Sequence, residues 1–464
     1  MANAPACLIH RFTHRLYHRP YPRLPHRFSP RFSHRPCTRF STPFPPLPLP
    51  HPQSPSASDT PIPSLPRLLG RWAFLLLASC LALGAAGAAF LFGLRWVGST
   101  FAAHPWLLWT LPAIWFLTLW AFERVGPRCA GGTKTLIAEI KDPQETLPAS
   151  MPPMIVGFTL LSHLGGASVG REGTALQMGG SLVDQFSRVF TLSKEERRTL
   201  LLCGVSGGFA AVFGTPLAAS VFALEFVRRA EFGRFSLCLL TAYGADWAGQ
   251  HLFGATHANY RFAEAVALTS GWLLSAACLG LAFGLAGWWF VRSVDIGRTS
   301  LLTLKDPAFR EWREWFGLFI FWGLILYTLS THYLELTGLG LGLIDSALHQ
   351  ADVGNAFLGK FIFTVYFVGI GLRGGEVTPL FVVGACLGAP LASLTGLPIG
   401  VAPALGLVTV FAAAGAVPLT GVCLALELFG PSVAPYAAIC GLTAWLTAKA
   451  LSQIGTGRNS LYES

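Results

Sequence analysis

Apolar runs separated by short polar connectors fill the chain from residue 68 to residue 451. Several runs hold fewer than the roughly 20 residues that a helix needs to cross the hydrocarbon core of a bilayer. Two are interrupted, one around Gly214-Thr-Pro216 and one around Pro418, and proline ends or kinks a helix. We therefore predict membrane helices, some of them short or broken. The predicted helices cover residues 68–98, 105–122, 150–169, 197–228, 234–253, 263–292, 313–335, 356–372, 380–396, 401–428 and 432–451.

The apolar region is internally duplicated. The segment GREGTALQMGGSL (170–182) recurs in diluted form as GGEVTPLFVVGAC (374–386), with Gly, Glu, Thr, Leu and Gly at equal offsets. A second pair, FAAVFGTPLAASVFALEF (209–226) and FAAAGAVPLTGVCLALEL (411–428), matches at eight of eighteen positions without a gap. We predict two homologous halves, about 68–262 and 263–464. Duplicated apolar segments broken by Gly or Pro are a sequence indication of a transporter binding site.

Composition supports an all-α integral membrane protein. Apolar residues make up 52% of the chain and charged residues 12%, whereas about a quarter of a soluble domain is charged. The mean hydropathy is +0.52. Fifty glycines suit close helix packing in lipid.

The first 66 residues differ from the rest. They hold eight Arg, no Lys and one acid, Asp59, hence a net charge of +7 out of the chain's +10. With a Pro-rich run at 44–52 they should form a disordered basic tail. Three interpretations of the tail remain open: a cytoplasmic arm on anionic lipid, an organellar transit peptide, or a falsely extended start. No Met lies between Met1 and Met151, so an alternative start would need a non-Met codon. We expect residues 67–464 to form the transmembrane domain, with no cytosolic domain after it.

Several classes of chemistry have no support in the sequence. The ten cysteines are scattered without a Cys-x-x-Cys pair, which argues against a metal site or disulfide scaffold. We find no nucleophile set and no phosphate-binding loop, so no enzyme, cofactor, metal or nucleic-acid partner is predicted. The charged connector 192–198 is expected to be a solvated loop with a Ser cap.

Glu172 is the main candidate for function. A carboxylate at membrane depth costs roughly 2.5 to 3.5 kcal/mol, yet this one recurs in matching context as Glu376. The surrounding glycines and the following apolar run predict a helix that begins at or near Glu172. A helix start offers free N–H groups to a small anion. The Glu172 carboxylate could occupy the same position, leave it when protonated, and so be both gate and proton carrier. The alternative is a helix-terminal acid that caps its own N–H groups.

The other acids of the two halves are weaker candidates. Glu376 either functions or only reflects common ancestry. Glu225 and Glu427 each end an apolar segment, which favours a structural role.

These motifs together resemble those of the CLC chloride channels and anion/proton exchangers. The resemblance rests on Gly170-Arg-Glu-Gly-Thr174, Gly375-Glu-Val-Thr-Pro379, Gly214-Thr-Pro-Leu217 leading to Glu225, and Tyr462. It extends over nearly all of residues 68–464. It implies an inverted repeat of broken, re-entrant helices, in a homodimer whose subunits each have a pore.

Three departures from chloride-type members look like the fluoride/proton antiporter branch. The chain has Thr174 where those members usually have Pro, Gly131-Gly-Thr-Lys-Thr135 in place of their Gly-Ser-Gly-Ile-Pro, and Glu376-Val-Thr-Pro379 in place of their Gly-x-Phe-x-Pro. The position after Glu225, where chloride exchangers usually have a second glutamate, is Phe226.

The resemblance assigns site residues one by one. Glu172 is implied as the outer gating and proton-transferring acid, and Glu376 as a second candidate for gating or proton transfer that forms a polar pair with Thr378 near the site. Tyr462 is implied as an inner gate, although the chain stops two residues later. Lys134 either contributes to anion binding or is a solvated residue before the next helix, and His163 is expected to pack rather than relay protons. The implied anion-binding set is Gly132, Thr133, Lys134, Arg171, Gly173, Thr174, Val377, Thr378 and Tyr462.

The predicted function is a secondary transporter that exports fluoride in exchange for protons across the cell (inner) membrane. A chloride channel or chloride/proton exchanger of the same family is the alternative. A membrane enzyme and an inert scaffold are rivals from other classes, and a scaffold would tolerate Glu172→Gln.

Overall fold

A computed structural model describes residues 65–227, 232–258, 260, 266–302, 320–329, 334–349 and 352–454. Within these ranges the regular structure is helical, with a single antiparallel bridge between Gly170 and Gly375. The α-helices are α1 (Leu65–Ala103), α2 (Leu111–Arg124), α3 (Thr133–Lys141), α4 (Met151–Leu164), α5 (Glu172–Asp184), α6 (Lys194–Phe213), α7 (Pro216–Val227), α8 (Phe232–Trp247), α9 (Ser270–Leu302), α10 (Ile320–Leu329), α11 (Leu341–Leu348), α12 (Ala356–Gly369), α13 (Val377–Ala392), α14 (Val401–Gly415), α15 (Pro418–Phe429) and α16 (Ala434–Ile454).

Among the described residues, three helical segments are long and apolar enough to cross a bilayer by length and composition: Pro66–Ala103, Pro105–Arg124 and Ser270–Arg298. Seven further apolar helices have 10–17 residues within the described ranges. The prediction of short helices is therefore confirmed. Short helices leave their ends inside the protein, and the free N–H groups at those ends are what a buried site can use.

Both predicted helix breaks are present at equivalent places. α6 ends at Phe213, Gly214 takes the left-handed conformation with φ 78°, and α7 begins at Pro216. In the second half α14 ends at Gly415, Ala416 takes φ 54°, and α15 begins at Pro418. Proline is well suited to the first turn of a helix because its missing N–H has no partner to lose there.

Glycines allow the equivalent helix pairs of the two halves to approach closely. A Cβ atom on Gly204 of α6 would lie 2.8 Å from the Gly179 carbonyl oxygen of α5. Its repeat equivalent, Gly406 of α14, lies directly against the backbone of Gly384 in α13. Small residues at helix contacts let backbones pack against each other in membrane proteins. Each half therefore holds one helix of its duplicated segment, α5 or α13, against a neighbour through backbone contact.

The contacts between the halves have two-fold character. Gly170 N donates to Gly375 O at 2.5 Å, and Gly375 N donates to Gly170 O at 2.7 Å. The starts of the two duplicated segments, 170–182 and 374–386, therefore run antiparallel. Antiparallel pairing of equivalent segments is what an inverted repeat produces. This pairing agrees with the predicted inverted repeat.

Glu225 and Glu427 make the same relation visible at a second place. The Glu225 carboxylate accepts hydrogen bonds from Leu419 N (3.0 Å) and Thr420 N (2.7 Å) at the start of α15. The Glu427 carboxylate accepts from Leu217 N (2.9 Å) and Ala218 N (2.8 Å) at the start of α7. Each acid thus caps the helix of the opposite half that corresponds to its own, in keeping with the structural role expected for both.

The expectation of a solvated loop at 192–198 is wrong beyond its cap. Ser193 caps α6 in a capping box with Glu196, so the charged residues form the first turn of that helix. Arg197 is 7% exposed. It donates to both Asp184 oxygens at 2.7 and 2.9 Å and to Glu139 at 2.9 Å. A charged segment stays solvated only where no other part of the chain packs over it. Here the ends of α3 and α5 pack over this segment.

Several predicted helix boundaries were also wrong. The helix predicted from residue 380 begins at Val377, because Pro379 fits its first turn and does not delay it. α9 continues ten residues past the predicted end at 292. The short helices α3 and α11 were not predicted, since runs of eight or nine residues give little periodic signal. The tail at 1–64 and Tyr462 lie outside the described residues.

The reciprocal caps predict a stability effect. Glu225→Gln and Glu427→Gln each replace a charged acceptor of two amide N–H groups by a neutral one, so each should destabilise the fold by about 1.5–3 kcal/mol, the typical contribution of a hydrogen bond to a charged group. The measurement is the unfolding midpoint in detergent. The matched control is Glu123→Gln on the exposed surface of α2, which should leave the midpoint in place. Equal midpoints for all three variants would contradict the capping role.

Candidate functional site

The loop before α5 is fixed from both sides. Gly166 turns the chain with φ 79°, and Gly338 N donates to Gly166 O at 3.3 Å. Ser168 Oγ lies 2.8 Å from Thr364 Oγ1 of α12. The Gly170–Gly375 pairing follows. Glu172 then begins α5, as predicted from the sequence.

The Glu172 side chain is completely buried and its carboxylate is held by the other half of the protein. Thr378 N donates to Oε2 at 3.0 Å, and Thr378 Oγ1 lies 2.6 Å from both carboxylate oxygens. Arg171 N donates to Oε2 at 3.2 Å. Thr378 lies in the first turn of α13, so the carboxylate occupies the positive end of that helix dipole.

This geometry changes one detail of the prediction. We expected Glu172 to occupy the electropositive start of its own helix. The backbone donors come instead from Arg171, just before α5, and from the start of α13. Helix starts from both halves therefore contribute to one pocket, and a small anion there would meet the same N–H and O–H groups.

Arg171 adds a full positive charge beside the acid. Its Nε lies 3.5 Å from Glu172 Oε1, and the residue is 8% exposed. The guanidinium carbon lies 6.0 Å from the centre of the Phe213 ring. The buried Glu172 carboxylate is therefore compensated by an ion pair with Arg171 as well as by the helix starts.

Glu376 occupies the repeat-equivalent position but has a different environment. Its Oε1 accepts from Arg298 Nη2 of α9 at 2.7 Å, and its side chain is 18% exposed. The Glu376 carboxylate binds Arg298, whereas the Thr378 hydroxyl binds Glu172. The assignment of Glu376 and Thr378 as a polar pair near the site stays a prediction. Exact symmetry would direct Glu376 toward Thr174, yet Thr174 Oγ1 lies 2.7 Å from Thr159 Oγ1. Only one acid therefore enters the pocket, where two carboxylates would repel each other.

Two residues of the predicted anion-binding set, Gly173 and Val377, lie at packed positions. A Cβ on Gly173 would lie 3.0 Å from Gly375 Cα, so Gly173 is a contact surface between the halves. Val377 is 1% exposed and belongs to the apolar core behind the pocket.

The residues of the 131–135 motif lie at the start of α3, and Thr133 contacts α5. Gln177 Nε2 donates to Thr133 Oγ1 at 2.9 Å, and a Cβ on Gly132 (φ 54°) would lie 2.9 Å from Gln177 Oε1. Lys134 is exposed at the second position of α3. The contact of Gln177 with Thr133 was not predicted, although Gln177 lies inside the motif at 170–182. The ion pair of Arg298 with Glu376 was not predicted either, because the two residues are 78 positions apart in the sequence.

Two further expectations concern His163 and Phe226. His163 is 4% exposed and its Nε2 has no hydrogen-bond partner in the described part of the chain, consistent with a packing role. Phe226 is 2% exposed with its ring 5.2 Å from that of Phe222, so this position is apolar and aromatic.

A helical inverted repeat with a buried carboxylate between opposed helix starts defines a class of membrane transport protein. The family model for voltage-gated chloride channels matches residues 114–449. A chloride/fluoride channel protein of Pseudomonas syringae pv. tomato is 38% identical over 383 residues, which cover 82% of this chain and 84% of that protein. The chain belongs to the voltage-gated chloride channel, or CLC, family of multi-pass membrane proteins.

More distant relatives and solved structures agree with this family. An H(+)/Cl(−) exchange transporter of Vibrio campbellii is 28% identical over 342 residues, covering 68% of this chain and 70% of that protein. The crystal structure of a CLC-type fluoride/proton antiporter superposes with a TM-score of 0.75 at 28% identity, over 82% of this chain and 95% of that one. A slow cyanobacterial Cl−/H+ antiporter shares the fold with a TM-score of 0.70 at 21% identity, over 83% of this chain and 96% of that one.

The contact between the halves predicts an order of sensitivity. A Cβ on Gly375 would lie 2.6 Å from Gly173 N, whereas one on Gly173 would lie 3.0 Å from its nearest atom and one on Gly342 would meet nothing within 4 Å. Overpacking costs about 1–3 kcal/mol and would displace the start of α13 from Glu172. Anion flux in proteoliposomes should therefore fall most for Gly375→Ala, less for Gly173→Ala and least for the control Gly342→Ala. Equal flux for the three variants would show that the pocket does not depend on this approach.

Proposed function

We propose that this protein is a fluoride/proton antiporter and that Glu172 is its gate and proton carrier. The observation that carries the proposal is the buried Glu172 carboxylate bound by Thr378 N, Thr378 Oγ1 and Arg171 N. A charged side chain that fills an anion pocket is both a competitor for the anion and a base for a proton.

The exchange follows from this competition. The deprotonated carboxylate holds the donors and excludes the anion. When a proton binds to the carboxylate, the side chain loses its charge and its electrostatic attraction to the start of α13. An anion then takes the N–H and O–H donors, and the neutral acid can release its proton toward the opposite side. Inward proton movement would thus drive outward anion movement.

Fluoride is favoured over larger halides by the kind of donors present. A small, strongly hydrated anion needs close donors that replace its water, and the pocket offers two backbone N–H groups and a threonine hydroxyl within hydrogen-bond distance of one carboxylate. The similarity to a fluoride/proton antiporter at 28% identity supports the same reading. Thr174 and the 375–379 motif, which differ from the chloride pattern, also support it.

A chloride channel or chloride/proton exchanger is the second candidate. The chloride/fluoride channel name of the Pseudomonas relative favours a channel, and the name of the Vibrio relative favours chloride. Phe226 stands where chloride exchangers usually have a second acid. It therefore argues against a chloride/proton exchanger and against a proton route through that position.

We also propose a homodimer in the cell inner membrane. The relatives named above are bacterial, and a homodimer is the assembly that the family resemblance implies. Chemical cross-linking of the purified protein in detergent, with a monomer band as the contradicting result, tests the assembly.

The deciding experiment is reconstitution into liposomes with a fluoride gradient. Fluoride efflux should drive uphill proton uptake, and fluoride flux should exceed chloride flux by at least about tenfold, the factor that corresponds to 1.4 kcal/mol. Fluoride flux without proton movement would make the protein a channel. Faster chloride than fluoride flux would favour the second candidate.

Glu172→Gln should abolish proton coupling, because the amide has nearly the same shape but carries no titrating proton. The measurement is the ratio of protons taken up to fluoride released, which should fall to zero while the control Glu123→Gln keeps the wild-type ratio. An unchanged ratio in Glu172→Gln would assign the proton to another group.

Thr378 should determine fluoride affinity once its competitor is removed. In a Glu172→Ala background, Thr378→Val removes the hydroxyl donor, and a hydrogen bond to a charged group contributes about 1.5–3 kcal/mol. Fluoride binding by calorimetry should weaken by about 10- to 100-fold, while Thr378→Ser, which keeps the hydroxyl, should bind like the parent. Equal affinities for the Val and Ser variants would mean that the backbone N–H groups alone bind fluoride.

A further inference from the structure

One guanidinium group joins two glycine-containing motifs that are far apart in the chain. Arg373 directly precedes Gly374 and Gly375, and its Nη2 donates to the carbonyl oxygen of Ala130 at 3.2 Å. Ala130 in turn directly precedes the 131–135 motif. A side chain at the start of one motif therefore contacts the backbone at the start of the other, across 243 positions of sequence.

The Arg373 side chain is held in place by an aromatic ring. Its guanidinium carbon lies 3.7 Å from the centre of the Phe122 ring of α2. Phe122 is 2% exposed, and its ring packs edge-on against that of Phe158 in α4 at a centroid distance of 5.4 Å. A guanidinium over an aromatic face is attracted by the ring and still donates from its own edge, which a lysine ammonium does not reproduce. The Phe122 ring therefore fixes the direction in which Arg373 donates to Ala130.

The loop that carries Arg373 is attached to α2 at a second point. Trp115 Nε1 donates to Ile370 O at 2.8 Å, at the C-terminal end of α12. Gly371 then turns the chain with φ 92°. The loop thus contacts α2 at both ends, and α13 begins four residues after Arg373. Two glycines lie in between, and glycine leaves the backbone conformationally free, so the anchor at Arg373 limits where α13 can start.

The Ala130 end of the contact leads to α3 within three residues. Thr133 is the first residue of α3. Its Oγ1 accepts from Gln177 Nε2 at 2.9 Å, so its hydroxyl hydrogen is left to donate to another group. Thr378, whose hydroxyl contacts the gating acid, lies in the first turn of α13. Arg373 therefore sets the position of the Thr133 hydroxyl relative to the Thr378 hydroxyl.

We propose that Arg373 is a positioning residue that fixes the spacing between the Thr133 and Thr378 hydroxyls and thereby favours fluoride over larger halides. The proposal rests on the proposed function, because it takes both hydroxyls as donors to the transported anion. A small, strongly hydrated anion gains from donors only when they lie close enough to replace its water, whereas a larger halide fits a wider spacing. Loosening the anchor should therefore weaken the binding of fluoride more than that of chloride.

Halide binding by calorimetry in a Glu172→Ala background tests the spacing without transport. Arg373→Gln should lower fluoride affinity by about three- to tenfold, the effect of losing a cation–π contact, and chloride affinity by less than about twofold. Arg373→Lys should behave like Arg373→Gln, because it keeps the charge but not the planar group that stacks and donates. Arg124→Gln, which removes an equal charge from the exposed end of α2, should bind both halides like the parent.

Phe122→Leu provides a second variant, which keeps Arg373 and removes only the ring. It should lower the preference for fluoride in the same direction, and it should add little to Arg373→Gln because both variants break one contact. It also tests the proposal if Arg373→Gln fails to fold. Equal losses for fluoride and chloride, full rescue by Arg373→Lys, or an unchanged fluoride preference in Phe122→Leu would overturn the positioning role.

A flux measurement separates this proposal from the antiporter. In proteoliposomes the ratio of fluoride to chloride flux should fall by about three- to tenfold in Arg373→Gln, while the protons taken up per fluoride released stay at the wild-type value, since Glu172 is intact. Wild-type fluoride flux without proton movement would refute the antiporter, and a loss of fluoride preference in Arg373→Gln would still support the positioning role. An unchanged flux ratio in a fully coupled variant would refute the positioning role and leave the antiporter standing.

Discussion

The structure depends on how one buried negative charge is compensated. A carboxylate that leaves water loses several kcal/mol of hydration unless fixed donors replace it. Glu172 finds these donors at Thr378 and at Arg171 N. Because Thr378 belongs to the other half of the chain, the compensation exists only when the two halves meet with their helix starts opposed. The inverted repeat is thus a requirement of the site as well as a feature of the fold.

Close backbone approach makes that meeting possible. The Gly170–Gly375 pairing brings the two GxE segments within main-chain hydrogen-bond distance, and side chains at these positions would separate the helix starts. The reciprocal caps of Glu225 and Glu427 repeat the principle at the broken helices. Each half supplies the acid that the other half's helix start lacks, so neither would be satisfied alone.

The symmetry between the two halves is broken at one point. Glu172 and Glu376 descend from the same position, but two carboxylates in one pocket would repel each other strongly. Arg298 of α9 binds Glu376, and the hydroxyl of Thr159 contacts the hydroxyl of Thr174. The pocket is left with one acid and a full set of donors.

Much of this architecture could be predicted from local sequence, because it is encoded in short-range patterns. The apolar runs, the breaks at Gly214 and Pro418, the duplication and the helix start at Glu172 each depend on residues within a few positions of one another. What the sequence could not determine is which groups meet across about two hundred residues. The Thr378 hydroxyl facing Glu172, the Arg298–Glu376 pair and the buried Arg197 all arise when helices distant in the sequence are packed together. The duplication shows that the halves correspond, and only the folded chain decides where that correspondence is kept and where a neighbouring helix replaces it with a different partner.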